Sequence, residues 1–396
     1  MTLIKKYSFG IMLLLLLSNA FMSCENDPTS VGITFIDPED TTSTRVIDSQ
    51  TDTMEITADN YKYYISTYTS KSFMIGNYQN YSSKSMLKFV EVSPDYDSSK
   101  IILAVLTLKY NDYYFQQDKG LTAFDVYKMT KNFNYPDVLY DSVNSSDYGN
   151  VSQGSYLGTP SDTQQVNIPL NNSLASEWLE YAADTSYQFK NYGVMLLPNA
   201  SSNTIKGFYS FVNTTDLIPY VTIILTKNGV QDTLTLNISE QVSLTDAPLS
   251  VVPADRFALQ TGIAFRNVLN FDLSKLPPNV IINNVLLTLT LDSKNSFISP
   301  DADKRITLGA VIDSSTNTDS LFITVTPIDS VNYVASSTSL NGIFQRWNTG
   351  SLPNQGLAFR TITESTNLDY FVFYSPTYSD AALVPRIRIT YTQRLQ

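Results

Sequence analysis

Positions 102–110 read ILAVLTLKY, and positions 285–291 read VLLTLTL. A third apolar run, VTIIL, lies at 221–225. Such short runs, rich in β-branched residues and separated by Asn, Asp, Ser, Gly and Pro, are typical of strands joined by turns. Helical spacing is clear only at 173–183, where apolar and aromatic residues recur at i, i+4 and i+7. The sequence therefore predicts an all-β fold, a β-sandwich with minor helix.

The chain also repeats itself. Six short matches recur in the same order in both halves: KSMLKF at 84–89 with RNVLNF at 266–271, VLTL at 105–108 with LLTL at 286–289, Trp178 with Trp347, NYGV at 191–194 with NQGL at 354–357, FYS at 208–210 and 373–375, and LIPYV at 217–221 with LVPRI at 383–387. This order predicts two copies of one folding unit. In each copy the glycine suits a turn with positive φ, and the proline suits the start of a terminal strand.

These signals divide the chain into four parts. We predict a signal peptide at 1–23, a flexible tether at 24–48, a first β-sandwich at 49–227 and a second at 228–396. The seam between the sandwiches is expected at the turn signal Lys-Asn-Gly, positions 227–229.

The first two dozen residues have the form of an export signal. Lys5 and Lys6 precede an apolar run at 11–17 that is too short to span a bilayer. The stretch 21–24, Phe-Met-Ser-Cys, resembles a lipobox, which implies cleavage before Cys24, acylation of Cys24 and a membrane-anchored protein. The alternative is plain secretion with an incidental cysteine. The acidic stretch at 25–27 is similar to surface-export signals of some Gram-negative lineages, which implies a lipid-anchored protein of the outer membrane, facing the cell exterior.

Composition excludes several classes of function. The chain of 396 residues has no histidine and one cysteine, so Ser-His-Asp triads, Cys-His nucleophiles, His-ligated metals and disulfide frameworks are ruled out. With 26 basic and 37 acidic residues the formal charge is −11, which disfavours nucleic-acid binding. A glycosidase needs only two carboxylates, but no such pair can be placed on facing strands. We therefore predict a protein that is not an enzyme.

The repeated motifs resemble the DNRLRE-type domain of bacterial secreted and surface proteins. The resemblance covers most of both halves and is clearest at 266–277, although the hexapeptide that names the family is absent. It implies tandem jelly-roll-like β-sandwiches of a kind found beside polysaccharide enzymes or acting as carbohydrate-binding modules. The segment 73–76, Phe-Met-Ile-Gly, is similar to one in uncharacterised envelope lipoproteins.

Tyrosine clusters are the candidate binding residues, because exposed rings can stack on pyranose faces. The candidates are Tyr61, Tyr63, Tyr64, Tyr68, Tyr78, Tyr81, Tyr113 and Tyr114. The alternative is that these rings pack half-buried on the sandwich. The matched positions of Trp178 and Trp347 favour a place in the core.

No cofactor is expected, although two pairs of carboxylates are candidates for calcium. They are Asp95 with Asp97 and Asp301 with Asp303, and ordinary turns explain them equally well. The sequence thus leads to two hypotheses of function. The first is a non-catalytic surface lipoprotein that binds extracellular polysaccharide, and the second is a structural lipoprotein that docks another envelope protein.

Overall fold

The computed structural model describes residues 42–394 apart from 187, 189 and 316. The predicted signal peptide, Cys24 and the tether as far as residue 41 lie outside the described residues. The first twelve strands are β1 (Thr42–Asp48), β2 (Ile56–Lys62), β3 (Ser72–Tyr78), β4 (Tyr81–Phe89), β5 (Lys100–Phe115), β6 (Thr122–Met129), β7 (Tyr148–Gly158), β8 (Gln165–Leu170), β9 (Val194–Pro198), β10 (Ile205–Tyr209), β11 (Tyr220–Lys227) and β12 (Val230–Asp246).

The other strands are β13 (Arg256–Gln260), β14 (Phe265–Phe271), β15 (Ile281–Thr290), β16 (Ile306–Asp313), β17 (Thr318–Val325), β18 (Asn332–Ala335), β19 (Leu357–Thr361), β20 (Tyr370–Tyr374) and β21 (Arg386–Arg394). The helices are α1 (Asn172–Ala183) and α2 (Thr338–Asn348). The predicted all-β fold is confirmed. Within the described part of the chain, no helix is long and apolar enough to span a bilayer.

Helix α1 matches the predicted helix, whereas α2 was not predicted. Leu340, Ile343, Phe344 and Trp347 of α2 are buried on one face at helical spacing. Gly342 lies among them and lowers the intrinsic helix propensity, so packing of the apolar face stabilises this helix.

Strands β3–β12 form the N-terminal group, whose order is β12-β11-β5-β10-β3-β4-β9-β6-β7, with β8 beside β5. The two longest strands belong to two layers. Residues 100–107 of β5 pair with β11 and residues 110–115 with β10, while β12 pairs first with β11 and then with β4. Apolar side chains of both layers, among them Leu106, Leu196 and Ile223, pack in one core with Trp178 of α1.

The C-terminal group consists of two sheets with the orders β1-β21-β15-β18 and β17-β16-β19-β14-β13-β20, with β2 beside β14. Their inner faces share a second core that includes Leu287, Leu308, Phe359 and Ile389. Alternation along each strand places these residues inside and polar residues outside, which is the sandwich pattern.

Strand pairing departs from the predicted boundaries at both ends of the first half. The predicted tether ends in β1, and β1 and β2 pair with β21 and β14 of the C-terminal group. The turn at 227–229, where the seam was expected, joins β11 and β12 of one sheet. A strand with alternating apolar residues fits any matching edge, so its pattern does not identify its partner.

Local features of the repeat are matched in three dimensions. Gly193 and Gly356 adopt φ of +89° and +87°, as the Asn-x-Gly motif predicts. In both groups a phenylalanine of the repeated motif packs against the matched tryptophan. The ring centroids of Phe89 and Trp178 are 6.0 Å apart, and those of Phe271 and Trp347 are 6.4 Å apart. Both tryptophans are therefore core residues.

A further apolar cluster joins the two groups. Met74, Phe115 and Ile205 of the N-terminal group contact Phe265 and Val372 of the C-terminal group. All five side chains are buried, so the outer faces of β3, β5 and β10 are covered by the other group.

Candidate functional site

Among the predicted binding tyrosines, those that come closest to forming a ligand-binding surface lie on one broad sheet face of the C-terminal group. This open face is the outer side of β2, β14, β19, β16 and β17. Its floor is formed by Val268, Val311 and Ala358, which are buried beneath the side chains that project from the face, Tyr61 among them. Polar and aromatic side chains at its edges are the residues able to meet a ligand.

Two groups of side chains on this face, called here the first edge and the second edge, surround Arg266 and Arg360. The first edge centres on Arg266 of β14. Its Nε and one terminal nitrogen donate to the two oxygens of Glu364, at 2.7 and 2.6 Å. The guanidinium carbon lies 4.6 Å from the ring centroid of Tyr63, whose side chain is 52% exposed. Burial opposes the charge of Arg266, but the carboxylate outweighs it, so the pKa of Arg266 is raised. The guanidinium thus contacts an exposed ring at cation–π distance.

The second edge repeats this arrangement around Arg360 of β19. Its guanidinium carbon lies 4.5 Å from the ring centroid of Phe322, which is 53% exposed. A terminal nitrogen lies 3.8 Å from Asp319 Oδ1. Burial raises the pKa of Asp319, with Arg360 and Arg266 acting in the opposite direction. Each edge therefore combines an exposed ring, an arginine and a carboxylate.

Tyr61 lies on β2, beside the first edge, and its side chain packs over the floor of the face. It is the register partner of Arg266, and burial raises the pKa of its hydroxyl. Gly309 lies near the second edge, where a Cβ would stand 3.0 Å from Asp319 and from Phe322. The missing side chain lets these two residues lean over the sheet.

The equivalent face of the N-terminal group is covered. By the sequence repeat, Lys84 and Met86 correspond to Arg266 and Val268. Met86 packs beneath Tyr135, Val138 and Val143 of the segment 130–147, which connects β6 to β7. Lys84 donates to the carbonyl oxygen of Val143 at 3.3 Å. The chain itself therefore occupies on this group the place that stays open on the C-terminal group.

Among the candidate tyrosines, Tyr61 and Tyr63 lie at the open face, and Tyr64 and Tyr68 lie apart from it. Tyr64 stacks on Tyr140 at 5.4 Å and its hydroxyl lies 3.3 Å from Asp246 Oδ1. Tyr68 packs on Phe211 at 5.0 Å. Both rings are half-buried against other parts of the chain.

The remaining four candidates lie where the two groups meet. Tyr81 and Tyr113 are buried: the Tyr81 hydroxyl donates to Gln260 at 3.3 Å, and the Tyr113 hydroxyl accepts from the backbone N–H of Leu368 at 2.8 Å. Tyr78 packs on Phe115 and Tyr114 on Phe297. Burial removes Tyr81 and Tyr113 from contact with a ligand, so these two predicted binding residues stabilise the interface instead.

The calcium candidates lie in turns. Asp95 and Asp97 are exposed at a short 3-10 turn, and Asp95 accepts from Ser93 Oγ at 3.0 Å. Asp303 binds the guanidinium of Arg305, and Asp301 is exposed. Within the residues that the structure describes, no group of three or more acidic, cysteine or histidine side chains could hold a metal ion.

A cleft of about 360 Å³ lies elsewhere, between residues 49–56 and 376–385. Its lining includes a single carboxylate, Glu55, and no aromatic ring. It therefore offers neither a pair of acids nor a stacking surface, and the open face is the stronger candidate.

Sequence reasoning missed Arg266, Arg360, Phe322, Asp319 and Glu364 as site residues. Arg266 stood in the repeated motif, where its equivalent is Lys84, but nothing in the sequence showed that its face was uncovered. No family model, curated protein or solved structure matches this chain.

Proposed function

We propose that the protein is a non-catalytic, lipid-anchored surface protein that binds extracellular polysaccharide on the open face. In this proposal Cys24 carries the lipid at the outer membrane, and two tandem jelly-roll-like sandwiches stand above it. The observation that carries the proposal is the pair of exposed rings, Tyr63 and Phe322, each backed by an arginine. Sugar faces stack on such rings, while the carboxylates and guanidinium groups bind hydroxyls.

The charges of the open face favour a neutral glycan. Arg266 is paired with Glu364, and Arg360 lies near Asp319, so the four charges nearly cancel. The chain as a whole is acidic, which repels polyanionic sugars. Glu364 accepts two hydrogen bonds from Arg266 and Asp319 lies near Arg360, so each carboxylate is oriented by an arginine and offers its remaining lone pairs to hydroxyl groups.

Affinity gels with a panel of neutral and acidic glycans test this proposal. Neutral glycans should retard the folded protein, and Tyr63→Ala or Phe322→Ala should each weaken binding about fivefold, since one stacked ring contributes on the order of 1 kcal/mol. Tyr63→Phe keeps the ring and should retain most of the affinity. Leu157→Ala, at an exposed site of the N-terminal group, is the matched control.

Lack of retardation by every glycan, with folding verified by circular dichroism, would overturn the proposal. So would unchanged binding by the Tyr63→Ala, Phe322→Ala double variant. Stoichiometric recovery of another envelope protein in a pull-down that is independent of glycan would instead support a role in assembly.

A further inference from the structure

Residues 42–62 (β1 and β2) and 230–246 (β12) occupy equivalent places in opposite groups. Ile47 pairs with Ile389 in the C-terminal group, and Leu234 pairs with Ile223 in the N-terminal group. Ile223 and Ile389 each lie four residues after the proline that precedes the terminal strand of their repeat. The beginning of each segment therefore pairs with the same position of the repeat.

The ends of the two segments agree as well. Ile56 pairs with Phe271 in β14, and Ile238 pairs with Phe89 in β4. These phenylalanines close the repeated motif at 84–89 and 266–271. The two segments thus match at both ends, and they differ in the middle, where seven residues separate β1 from β2 and β12 continues as one strand.

Each segment completes the group that the other repeat forms. Along the chain, 42–62 precedes β3 and 230–246 precedes β13, so each is the first part of its own repeat. In space, 42–62 lies in the group of β13–β21, and 230–246 lies in the group of β3–β11. The two repeats have exchanged their first strands within one chain.

The connections that cross between the two groups show that the exchange needs only a short length of chain. The connections after the two segments, 63–71 and 247–255, are each nine residues long. Where they begin, Lys62 Nζ lies 2.5 Å from Asp246 Oδ1 and donates to the carbonyl oxygen of Ala247 at 3.3 Å. Nine residues are therefore enough to carry the chain from one group to the other at this point.

We propose that residues 42–62 also pair with the C-terminal group of a second copy, which gives a strand-exchanged dimer. Every copy offers the same acceptor edges on β21 and β14, and the pairings of β1 with β21 and of β2 with β14 made within one chain are remade between two. Ile47, Met54 and Ile56 are buried in the core, so an acceptor left empty would expose apolar surface. The protein concentration therefore decides whether residues 42–62 of one copy pair with β21 and β14 of the same copy or of its neighbour.

The exchange also places the open face between two copies. Tyr61 belongs to the exchanged segment, whereas its register partner Arg266 belongs to the acceptor. In the dimer, Tyr61 of one copy lies against Arg266 of the other copy. The interaction itself is independent of any glycan, so its test is separate from that of the proposed function.

Cysteine pairs in register provide the test. In full chains carrying Cys24→Ser, Val46→Cys on one chain and Thr390→Cys on another mark paired positions of β1 and β21. The two chains are unfolded in urea, mixed, refolded at rising concentration and oxidised. Non-reducing gels should show at least about fivefold more disulfide-linked dimer than a mixture of Val46→Cys with Leu157→Cys, since only the first pair of thiols meets in disulfide geometry.

Equal dimer yields from both mixtures would sink the proposal. The double variant Val46→Cys, Thr390→Cys, oxidised as a monomer, should remain monomeric on size exclusion after the same treatment and form dimers once reduced. Dimers formed by the oxidised double variant would also contradict it. Should either single variant fail to fold, Thr44→Cys with Thr392→Cys provides a second pair in register.

Discussion

At the scale of single residues, ion pairs fix the first strand. Asp48, at the end of β1, accepts hydrogen bonds from Arg386 of β21, one of them 2.9 Å long, and lies 3.4 Å from Arg388. The hydrogen bonds from Arg386 hold the pKa of Asp48 below its usual value, although burial acts in the opposite direction. This carboxylate therefore links folding to pH.

Asp48→Asn should lower the free energy of unfolding by about 1 kcal/mol at pH 7, because a partly exposed pair contributes that much. The pKa of Asp48 is lower when folded than when unfolded, so its contribution is present at neutral pH and is lost as the pH falls through the folded value. The difference between variant and wild type should thus shrink in acid. Urea unfolding from pH 7 down to pH 2 measures it, with the exposed Asp95→Asn as control; a constant difference would contradict the assignment.

At the scale of elements, the turn before β9 depends on a close approach of two backbones. Gly193 has φ of +89°, and a Cβ there would lie 2.2 Å from the carbonyl oxygen of Leu87 in β4. Gly229, in the turn between β11 and β12, has φ of +77° with no atom within 4 Å of its Cβ position. The two glycines share a backbone conformation and differ only in the space around them.

We expect Gly193→Ala to lower the free energy of unfolding by at least about 2 kcal/mol, since alanine adds both strain and a backbone clash. Gly229→Ala adds strain alone and should cost about 1 kcal/mol. Urea titrations of both variants give the difference, which isolates the clash. Equal losses would show that the strand approach at Leu87 relaxes freely.

At the scale of the whole molecule, two features couple the groups: the buried cluster around Phe115 and Phe265, and the exchanged first strands. Neither group has its full set of strands without the other repeat. The molecule should therefore unfold as one cooperative unit, even though it contains two cores.

The two tryptophans can report on this coupling, because each lies in one core. Trp178→Phe leaves Trp347 as reporter of the C-terminal core, and Trp347→Phe leaves Trp178 for the N-terminal core. In each variant, the urea midpoint measured by tryptophan fluorescence should equal the midpoint measured by circular dichroism, which reports the unfolding of the whole chain. Fluorescence midpoints that depart from those of circular dichroism would show that the groups unfold separately.

The sequence sufficed wherever local chemistry decides the structure. Short apolar runs bounded by turn residues identified β5, β11 and β15, helical spacing identified α1, and Asn-x-Gly gave the turn conformation at Gly193. It failed where tertiary contacts decide. The partners of β1 and β2 lie about 200 to 350 residues away, and no local pattern encodes them.

The candidate site shows the same limit. Tyr61 and Tyr63 were found because aromatic side chains stand out in a sequence. In the sequence, Tyr81 and Tyr113 cannot be distinguished from Tyr61 and Tyr63, yet in the structure they are buried where the two groups meet. Whether a sheet face is open depends on the course of 130–147 over one group, which residue type and spacing do not reveal.

The long-range pairing of β1 has a consequence during biosynthesis. Thr42 pairs with Arg394, so about 350 residues must be synthesised after the first strand before its partner exists. At about 5–20 residues per second, residues 42–48 wait roughly 20–70 s without their partner. The sheet of β1 thus closes only after residues 388–394 have been synthesised, and a nascent chain stalled earlier presents an unpaired strand.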